Sequence, residues 1–480
     1  MTDASAGVSH ADTPPSALLL RFDALRVAHA RDPYPRAAVR RDRLMRILAI
    51  VREREREFVA AIDRDFGHRS AHETRLAELT IVASAARHAM ANLSRWMALR
   101  RVRTPIQLKP GRAFVVPQPL GVVGIVSPWN YPVQLALAPA IAALAAGNRV
   151  MLKPSEVTPA TSALLTDAIG ERFAADEFTV VTGGAETGAA FSRLPFDHLF
   201  FTGSTAVGRL VAMAAAERLT PVTLELGGKS PAIVDAAADL AVVAPRLAVG
   251  KFLNAGQTCI APDYALVPSA RVDAFVDAMG EALTALYPDP MRGADYTSIV
   301  DERHYARLVG LIEEARAKGA RIVTLPAGAA PDPATRRIPP TLVIGANDTM
   351  RILREEIFGP LLPVEAYATL DEAIATISRR PKPLAFYVFG ASRATRMRLL
   401  RETSAGGVTV DDTLWHFAHE ELPFGGVGAS GHGAYHGDAG FRTFSHEKSV
   451  FVQSRFSAAK LLYPPYGPTF ERVLALLRRL

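Results

Sequence analysis

The chain contains one cysteine, Cys259, within the polar, glycine-containing segment Asn254–Ile260. A thiol becomes a nucleophile when it is accessible and its surroundings stabilise the thiolate. A lone cysteine is more often a small, buried apolar residue. The polar and flexible character of this segment favours a nucleophile. A buried core residue remains an alternative when this segment is considered alone.

Glu225 follows the apolar stretch Val222–Leu224 and precedes the paired glycines Gly227 and Gly228. A carboxylate at the end of an apolar strand can have a raised pKa and act as a general base. A salt-bridged glutamate at the surface is the alternative interpretation.

Lys153–Glu156 follows the predicted strand Arg149–Leu152. Its side chains therefore emerge at the carboxyl edge of a sheet, where open α/β folds bind ligands. Lys153 could hold ribose hydroxyls or a phosphate. Glu156 could accept the 2′-hydroxyl of adenosine and would repel a 2′-phosphate, which favours NAD over NADP. A solvated charged loop is the alternative.

Gly203 and Ser204 form a turn between the predicted strand His198–Phe201 and the predicted helix Ala206–Arg218. Backbone N–H groups and the helix dipole can hold a phosphate at such a turn. The spacing is not the Gly-x-Gly-x-x-Gly of the usual dinucleotide fingerprint. An ordinary strand-to-helix turn explains this segment equally well when it is read alone.

The apolar pattern predicts elements that could position these residues. Helical spacing from Ser16 to Leu99 predicts a helical opening, and from Leu120 short apolar runs alternate with helical stretches. This alternation predicts a parallel sheet covered by helices, and a second one from Ser230 to Val410 predicts another α/β domain. The other predicted elements of the first domain are strands Gly121–Val126 and Phe178–Val181 and helices Pro132–Ala145 and Pro159–Arg172.

Two segments predict smaller structures. Residues Ile106–Val116 predict a projecting β-hairpin that turns at Pro110 and Gly111. Residues 411–446, rich in Gly, His and Phe, predict loop and edge strand rather than a separate core.

Composition limits the classes of protein. The chain has 480 residues, of which 49% are hydrophobic, which is enough for more than one core. One cysteine excludes an intrachain disulfide and a zinc site with several thiolates, so we expect no metal and a reducing, cytoplasmic compartment. The net charge is +7, but acidic and basic residues are interspersed, which argues against nucleic-acid binding.

Six motifs occur in an order that resembles the aldehyde dehydrogenase superfamily. They are Pro128-Trp129-Asn130-Tyr131-Pro132, Lys153-Pro154-Ser155-Glu156, Phe201-Thr202-Gly203-Ser204, Glu225-Leu226-Gly227-Gly228-Lys229-Ser230-Pro231, Gly256-Gln257-Thr258-Cys259 and Glu355-Glu356-Ile357-Phe358-Gly359-Pro360. The segment from Leu422 to His446, with Tyr463-Pro464-Pro465-Tyr466, resembles the class 3 branch and, within it, bacterial coniferyl aldehyde dehydrogenases.

The resemblance implies a mechanism. Cys259 attacks the aldehyde, and the Asn130 amide and the Cys259 N–H hold the oxyanion. Hydride leaves to a nicotinamide positioned by Glu356 and Phe358, and Glu225 activates the water that hydrolyses the thioester. Lys153, Glu156, Gly203 and Ser204 then hold the rest of the NAD, with NADP as a second possibility. The aromatic and imidazole groups Tyr131, Trp415, His416, Phe417 and His419 are candidates for the wall of a substrate tunnel.

The resemblance also implies a domain plan and a homodimer. We expect a disordered lead (1–15), a cofactor domain (16–105 and 117–225), a catalytic domain (226–410), a bridging and oligomerisation element (106–116 and 411–446) and a tail (447–480).

Two alternative functions remain open. One is a CoA-acylating aldehyde dehydrogenase, against which the presence of Glu225 argues. The other is an anionic-surface binder that uses the basic, apolar tail Phe470–Leu480 as an interfacial helix, although we expect no membrane contact.

Overall fold

The computed structural model describes residues 12–479. The helices are α1 (Pro15–Arg31), α2 (Ala37–Glu53), α3 (Glu55–Phe66), α4 (Ala71–Thr74), α5 (Ile81–Trp96), α6 (Gln134–Ala146), α7 (Pro159–Arg172), α8 (Ala185–Ser192), α9 (Thr205–Ala216), α10 (Leu240–Phe252), α11 (Val272–Leu286), α12 (Glu302–Ala317), α13 (Arg351–Arg354), α14 (Leu370–Arg379), α15 (Arg393–Glu402), α16 (Trp415–Ala418), α17 (Gly437–Thr443) and α18 (Pro468–Leu477). A π-helical turn, Arg75–Thr80, joins α4 to α5.

The strands are β1 (Arg100–Val102), β2 (Arg112–Pro119), β3 (Val122–Val126), β4 (Arg149–Lys153), β5 (Phe178–Val180), β6 (His198–Thr202), β7 (Val222–Glu225), β8 (Pro231–Val234), β9 (Tyr264–Pro268), β10 (Arg321–Thr324), β11 (Thr341–Ile344), β12 (Leu361–Tyr367), β13 (Ala385–Phe389), β14 (Gly407–Val410), β15 (Gly431–His432) and β16 (Ser445–Val452).

The first sheet has the order β15-β7-β6-β3-β4-β5, and its strands are parallel except β15. Every residue of β4 and β6 is buried, as expected for parallel strands covered on both faces. Helix α6 is buried along its whole length, which explains why its sequence is apolar on every side. The predicted Rossmann-like α/β domain is confirmed.

The second sheet has the order β10-β11-β12-β9-β8-β13-β14 and is parallel except for β10. Its strands lie between residues 231 and 410, which confirms the second α/β alternation. A third sheet, β1-β2-β16, is antiparallel.

The predicted hairpin at residues Ile106–Val116 is wrong. Strand β1 pairs with the start of β2, from Arg100 opposite Val115 to Val102 opposite Ala113. Residues 103–111 form the connecting loop, which includes a short 3₁₀ turn at Ile106–Leu108. The apolar residues Ile106 and Leu108 are exposed in this loop and belong to no strand.

Two expected boundaries also differ from the structure. Residues 12–15 of the expected disordered lead are ordered, because the Thr13 N–H donates to the Thr182 carbonyl (3.0 Å) and helix α1 begins at Pro15. Residues 1–11 of that lead lie outside the described residues. The expected boundary between residues 446 and 447 falls inside β16.

Candidate active site

A cavity of about 240 Å³ lies between the first and second sheets. It is lined by Pro128, Trp129, Asn130, Thr202, Gly203, Ser204, Glu225, Gly227, Cys259, His304, Arg307, Glu356 and Phe358. These include seven of the nine predicted site residues. Only Lys153 and Glu156 are missing from the lining.

The first sheet supplies its carboxyl edge to this cavity. Asn130 follows β3, Gly203 follows β6 and Glu225 ends β7. The chain runs from β3 to β4 on one side and returns to β6 on the other, so the strand order reverses beside β3. Such a reversal opens the crevice in which α/β sheets bind ligands.

Cys259 is delivered by a loop that precedes β9 and has an unusual backbone. Three successive residues have positive φ angles, namely Asn254 (53°), Ala255 (50°) and Gly256 (73°). Non-glycine residues adopt this conformation only when their surroundings enforce it. A Cβ on Gly256 would collide with the Gly359 carbonyl, so the loop packs directly on the segment that carries Phe358.

The loop around Cys259 is more tightly packed than predicted, although Cys259 itself lines the cavity. Gln257 and Thr258 are buried, and Cys259 itself is half-buried. The polar side chains of Asn254 and Gln257 in this loop form hydrogen bonds with backbone carbonyls. Gln257 Nε2 donates to the Asn254 carbonyl (3.0 Å) and to the Ser298 carbonyl (3.1 Å).

The surroundings of Cys259 favour the protonated form of its thiol. Burial raises its pKa to about 12, and the carboxyl groups of Glu356 and Glu225 contribute in the same direction. The backbone N–H groups of Cys259 and Ile260 act in the opposite direction, because they donate toward the sulfur. Formation of the thiolate therefore requires a proton acceptor.

Asn130 is buried against the cysteine loop. Its Nδ2 donates to the Gln257 carbonyl (3.1 Å), two residues before Cys259. An amide nitrogen carries two protons, so one remains for a further acceptor. Tyr131, the next residue, bonds through its hydroxyl to Thr258 Oγ1 (2.8 Å).

Glu225 is buried, and neither of its carboxylate oxygens has a hydrogen-bond partner within residues 12–479. Burial raises its pKa well above the ordinary value. This direction is the one predicted for a general base, and the burial of Glu225 contradicts the alternative of a salt-bridged surface residue. A carboxyl group in this state can take a proton from a neighbouring group.

Glu356 and Phe358 line the opposite wall. Glu356 Oε1 accepts from the Gly228 N–H (3.0 Å), and burial raises the Glu356 pKa to about 7. A Cβ on Gly227 would collide with that carboxylate, so a residue larger than glycine does not fit at this position. The Phe358 ring meets the Trp129 ring edge to face at 5.3 Å.

Sequence reasoning missed the groups that hold this wall in place. Lys229 is buried, forms an ion pair with Asp263, and donates to the carbonyls of Ile352 (2.8 Å) and Glu355 (3.0 Å). Asp263 also accepts from the Ile357 N–H (2.9 Å). The available signal in the sequence is the position of Lys229, within the Gly-Gly-Lys motif and directly before the apolar strand β8.

Lys153 and Glu156 contact each other at the same sheet edge. Lys153 Nζ lies 2.8 Å from Glu156 Oε2, with the lysine buried and the glutamate half-exposed. After β6, on the other side of β3, Ser204 caps α9 by accepting from the Val207 N–H (3.4 Å).

The five candidates for a tunnel wall do not line the cavity. The Trp415 side chain is exposed, His416 Nδ1 bonds to Thr409 Oγ1 (2.7 Å), and Phe417 packs on Phe424. These contacts match the packing role that aromatic residues commonly have at a domain junction.

The described residues fit a nicotinamide dinucleotide. The capped turn at Ser204 is a helix N-terminus facing the cavity, and the Lys153 ammonium lies along the same sheet edge. Thr202 Oγ1, which is buried and has no partner in the described chain, adds a free polar group beside them.

The cavity between the two sheets places a thiol next to a sheet edge that fits a dinucleotide, the arrangement a cysteine-dependent dehydrogenase requires. A model of the aldehyde dehydrogenase family matches residues 26–450. The chain belongs to the aldehyde dehydrogenase family, and NAD(P)-dependent aldehyde oxidation is its reaction.

Individual relatives agree with this assignment. A Pseudomonas aeruginosa protein named "Probable coniferyl aldehyde dehydrogenase" is 49% identical over 453 residues, which cover 94% of each chain. The substrate-bound structure of Staphylococcus aureus AldH superposes with a TM-score of 0.92 at 39% identity, covering 96% of this chain and 99% of that one. An NAD⁺ complex of a Mycobacterium tuberculosis aldehyde dehydrogenase gives 0.82 at 30% identity, covering 94% and 92%.

Among the described helices, none has the length and apolar character that crossing a bilayer requires.

Proposed function

We propose that this chain oxidises aromatic aldehydes of the coniferyl type to carboxylic acids with NAD, through a thioester on Cys259. The observation that carries the proposal is the convergence of Cys259, Asn130 and Glu225 on one cavity, with the Glu225 carboxyl unpaired within the described part of the chain. The name of the Pseudomonas aeruginosa relative supports the substrate class.

In the first half of the reaction, Cys259 loses its proton and its sulfur attacks the aldehyde carbon. The backbone N–H groups of Cys259 and Ile260 stabilise the thiolate, and the thiol proton leaves to solvent through the cavity. The resulting oxyanion is held by the free Nδ2 proton of Asn130 and by the Cys259 N–H. A bound nicotinamide supplies the hydride acceptor, and collapse of the oxyanion leaves a thioester on the sulfur.

In the second half, Glu225 takes a proton from a water molecule that attacks the thioester carbon. The carbon–sulfur bond breaks, the carboxylic acid leaves, and the proton held by Glu225 passes to the sulfur, which regenerates the Cys259 thiol and the Glu225 carboxylate. This use of a water-activating carboxyl argues against transfer of the acyl group to CoA.

For the cofactor, we propose that Glu356 holds the nicotinamide ribose, that Phe358 contacts the ring and that Gly203 and Ser204 face the pyrophosphate. Lys153 and Glu156 would hold the adenosine ribose. The Glu156 carboxylate repels a 2′-phosphate, so NAD is preferred over NADP.

We also propose the expected domain division, a homodimer and a cytoplasmic location, with no membrane or nucleic-acid partner. The single free thiol supports a reducing compartment. The dimer rests on the third sheet, β1-β2-β16, which we call the bridging sheet and in which β1 and β16 are the edge strands.

The test is a panel of coniferyl, benzyl, medium-chain and long-chain aldehydes, assayed for NADH or NADPH with and without CoA. We expect coniferyl aldehyde and NAD to give the highest kcat/KM, and CoA to have no effect. Cys259→Ala should bind NAD and form no NADH. Normal turnover by this variant would overturn the proposed mechanism, whereas a preference for long-chain aldehydes would overturn only the substrate.

A further inference from the structure

A buried ion pair outside the cavity contacts the segment that carries Asn130. Arg69 Nη1 lies 3.0 Å from Glu78 Oε1, and both side chains are completely buried. The same Nη1 donates to the backbone carbonyl of Asn130 (3.0 Å). The guanidinium also lies over the rings of Phe66 and Tyr131, at 5.0 and 4.8 Å.

Glu78 continues this contact on the far side of Asn130. Its Oε2 accepts from the N–H groups of Val133 (2.7 Å) and Gln134 (3.1 Å), at the start of α6. These are helix N-terminal donors that no residue of the helix itself can satisfy. The segment from Asn130 to Gln134 is therefore held at both ends by one ion pair.

A second carboxylate from the same region holds the cysteine loop. Glu73 Oε2 accepts from the Asn254 N–H (3.1 Å) and from Thr297 Oγ1 (2.9 Å). Asn254 Nδ2 in turn donates to the carbonyls of Asn130 (3.0 Å) and Gln257 (3.1 Å). The cysteine loop and the segment that carries Asn130 are thus joined directly by hydrogen bonds.

The backbone that carries these groups is itself unusual. Glu78 lies in the π-helical turn Arg75–Thr80, a conformation that is uncommon and often found at functional sites. Replacing a buried ion pair by apolar residues is often neutral for stability. Stability alone therefore does not explain the Arg69–Glu78 pair. Its contacts indicate that it holds the backbone around Asn130 in place.

We infer that Arg69 and Glu78 are positioning residues, which fix Asn130 so that its amide points at the developing oxyanion. Glu73 fixes the cysteine loop against the same segment. The inference rests on the oxyanion role of Asn130 in the proposed function. Displacement of a catalytic group by about 1 Å can cost roughly a hundredfold in rate. The position of the Asn130 backbone therefore affects the rate of the first half-reaction.

The test is the rate of the first NADH turnover, measured by rapid mixing, in the full-length double variant Arg69→Met/Glu78→Gln. Glutamine keeps an acceptor for the α6 donors, and both charges are removed together. Buried Arg43 pairs with the partly buried Glu177 at 3.1 Å, and neither residue lines the cavity. Arg43→Met/Glu177→Gln is therefore the matched control.

We expect the test variant to lose roughly tenfold or more in this rate, with unchanged NAD affinity, and the control to keep the wild-type rate. If the double variant fails to fold, Arg69→Met alone replaces it, because Glu78 can take up a proton once the cation is gone.

A thermodynamic cycle with Asn130→Ala separates positioning from general damage. Asn130→Ala alone should cost about a hundredfold, and adding the Arg69/Glu78 changes should cost little more. Equal losses in both backgrounds, or an equal loss in the control, would overturn the positioning role and leave the proposed function intact. A wild-type rate for Asn130→Ala would overturn the oxyanion assignment itself, and the positioning role with it.

Discussion

At the scale of single residues, Glu225 is buried, and its two carboxylate oxygens have no hydrogen-bond partner among the described residues. Because burial raises its pKa, the carboxylate form is lost at a higher pH than for an ordinary glutamate. Thioester hydrolysis should therefore slow as the pH falls through this raised pKa.

Glu225→Gln should keep a single burst of NADH and lose about a hundredfold or more in steady-state turnover, since a general base typically contributes this much. Stopped-flow absorbance at several pH values measures both phases. An unchanged steady-state rate would remove Glu225 from the mechanism.

The same variant should be more stable than wild type, increasingly so at higher pH. The folded state retains a proton on Glu225 above the ordinary glutamate pKa, whereas the unfolded state releases it, so the wild type loses stability as pH rises toward the raised pKa. Glutamine removes this loss. Thermal melting at pH 5 and pH 8 should show a larger gain at pH 8, and an equal gain at both would contradict the raised pKa.

Residue types were the part of the site that sequence could predict. Cys259 and Glu225 were singled out by their neighbours, and the motifs added Asn130, Glu356 and Phe358. The contacts of Arg69 were not predictable, because an arginine after a helix looks like any surface cation until the fold buries it.

At the scale of elements, the loop from Asn254 to Cys259 depends on Gly256, which has a φ of 73° and lies against the Gly359 carbonyl. Gly256→Ala should destabilise the protein by about 2 kcal/mol or more, from left-handed strain together with the collision. It should also slow NADH formation by displacing Cys259.

Gly170→Ala in α7 is the control, because a Cβ there meets open space. It should stabilise the protein by about 0.5–1 kcal/mol and leave activity unchanged. Chemical denaturation with parallel assays compares the two variants. Equal stability of Gly256→Ala and wild type would contradict the packing described for this loop.

The regular elements followed from local pattern, as helix α7 shows, since its predicted and observed bounds agree at Pro159–Arg172. The hairpin prediction failed because Pro110 and Gly111 indicate a turn but do not specify which strands it joins. The true partner of β2, besides β1, is β16, which is distant in sequence and cannot be found from local pattern.

At the scale of the whole molecule, the bridging sheet leaves two edge strands whose backbone groups are open to another chain. Helix α9 adds exposed apolar side chains at Val207, Leu210 and Met213. Uncovered edges and apolar faces of this kind are typical of interfaces between copies.

Light scattering at working concentration should therefore give twice the chain mass of 51.6 kDa. Leu210→Glu should shift the mass toward the single chain, because it places a charge in the apolar face. A mass of 51.6 kDa for the wild-type protein would contradict the proposed dimer.

The central claim is the thioester on Cys259, and its most direct test is intact-protein and peptide mass spectrometry of Glu225→Gln after incubation with coniferyl aldehyde and NAD. The enzyme should gain the mass of one acyl group less the thiol hydrogen, on the peptide that contains Cys259, with about one NADH formed per chain. An unmodified Cys259 peptide accompanied by NADH formation would contradict the account.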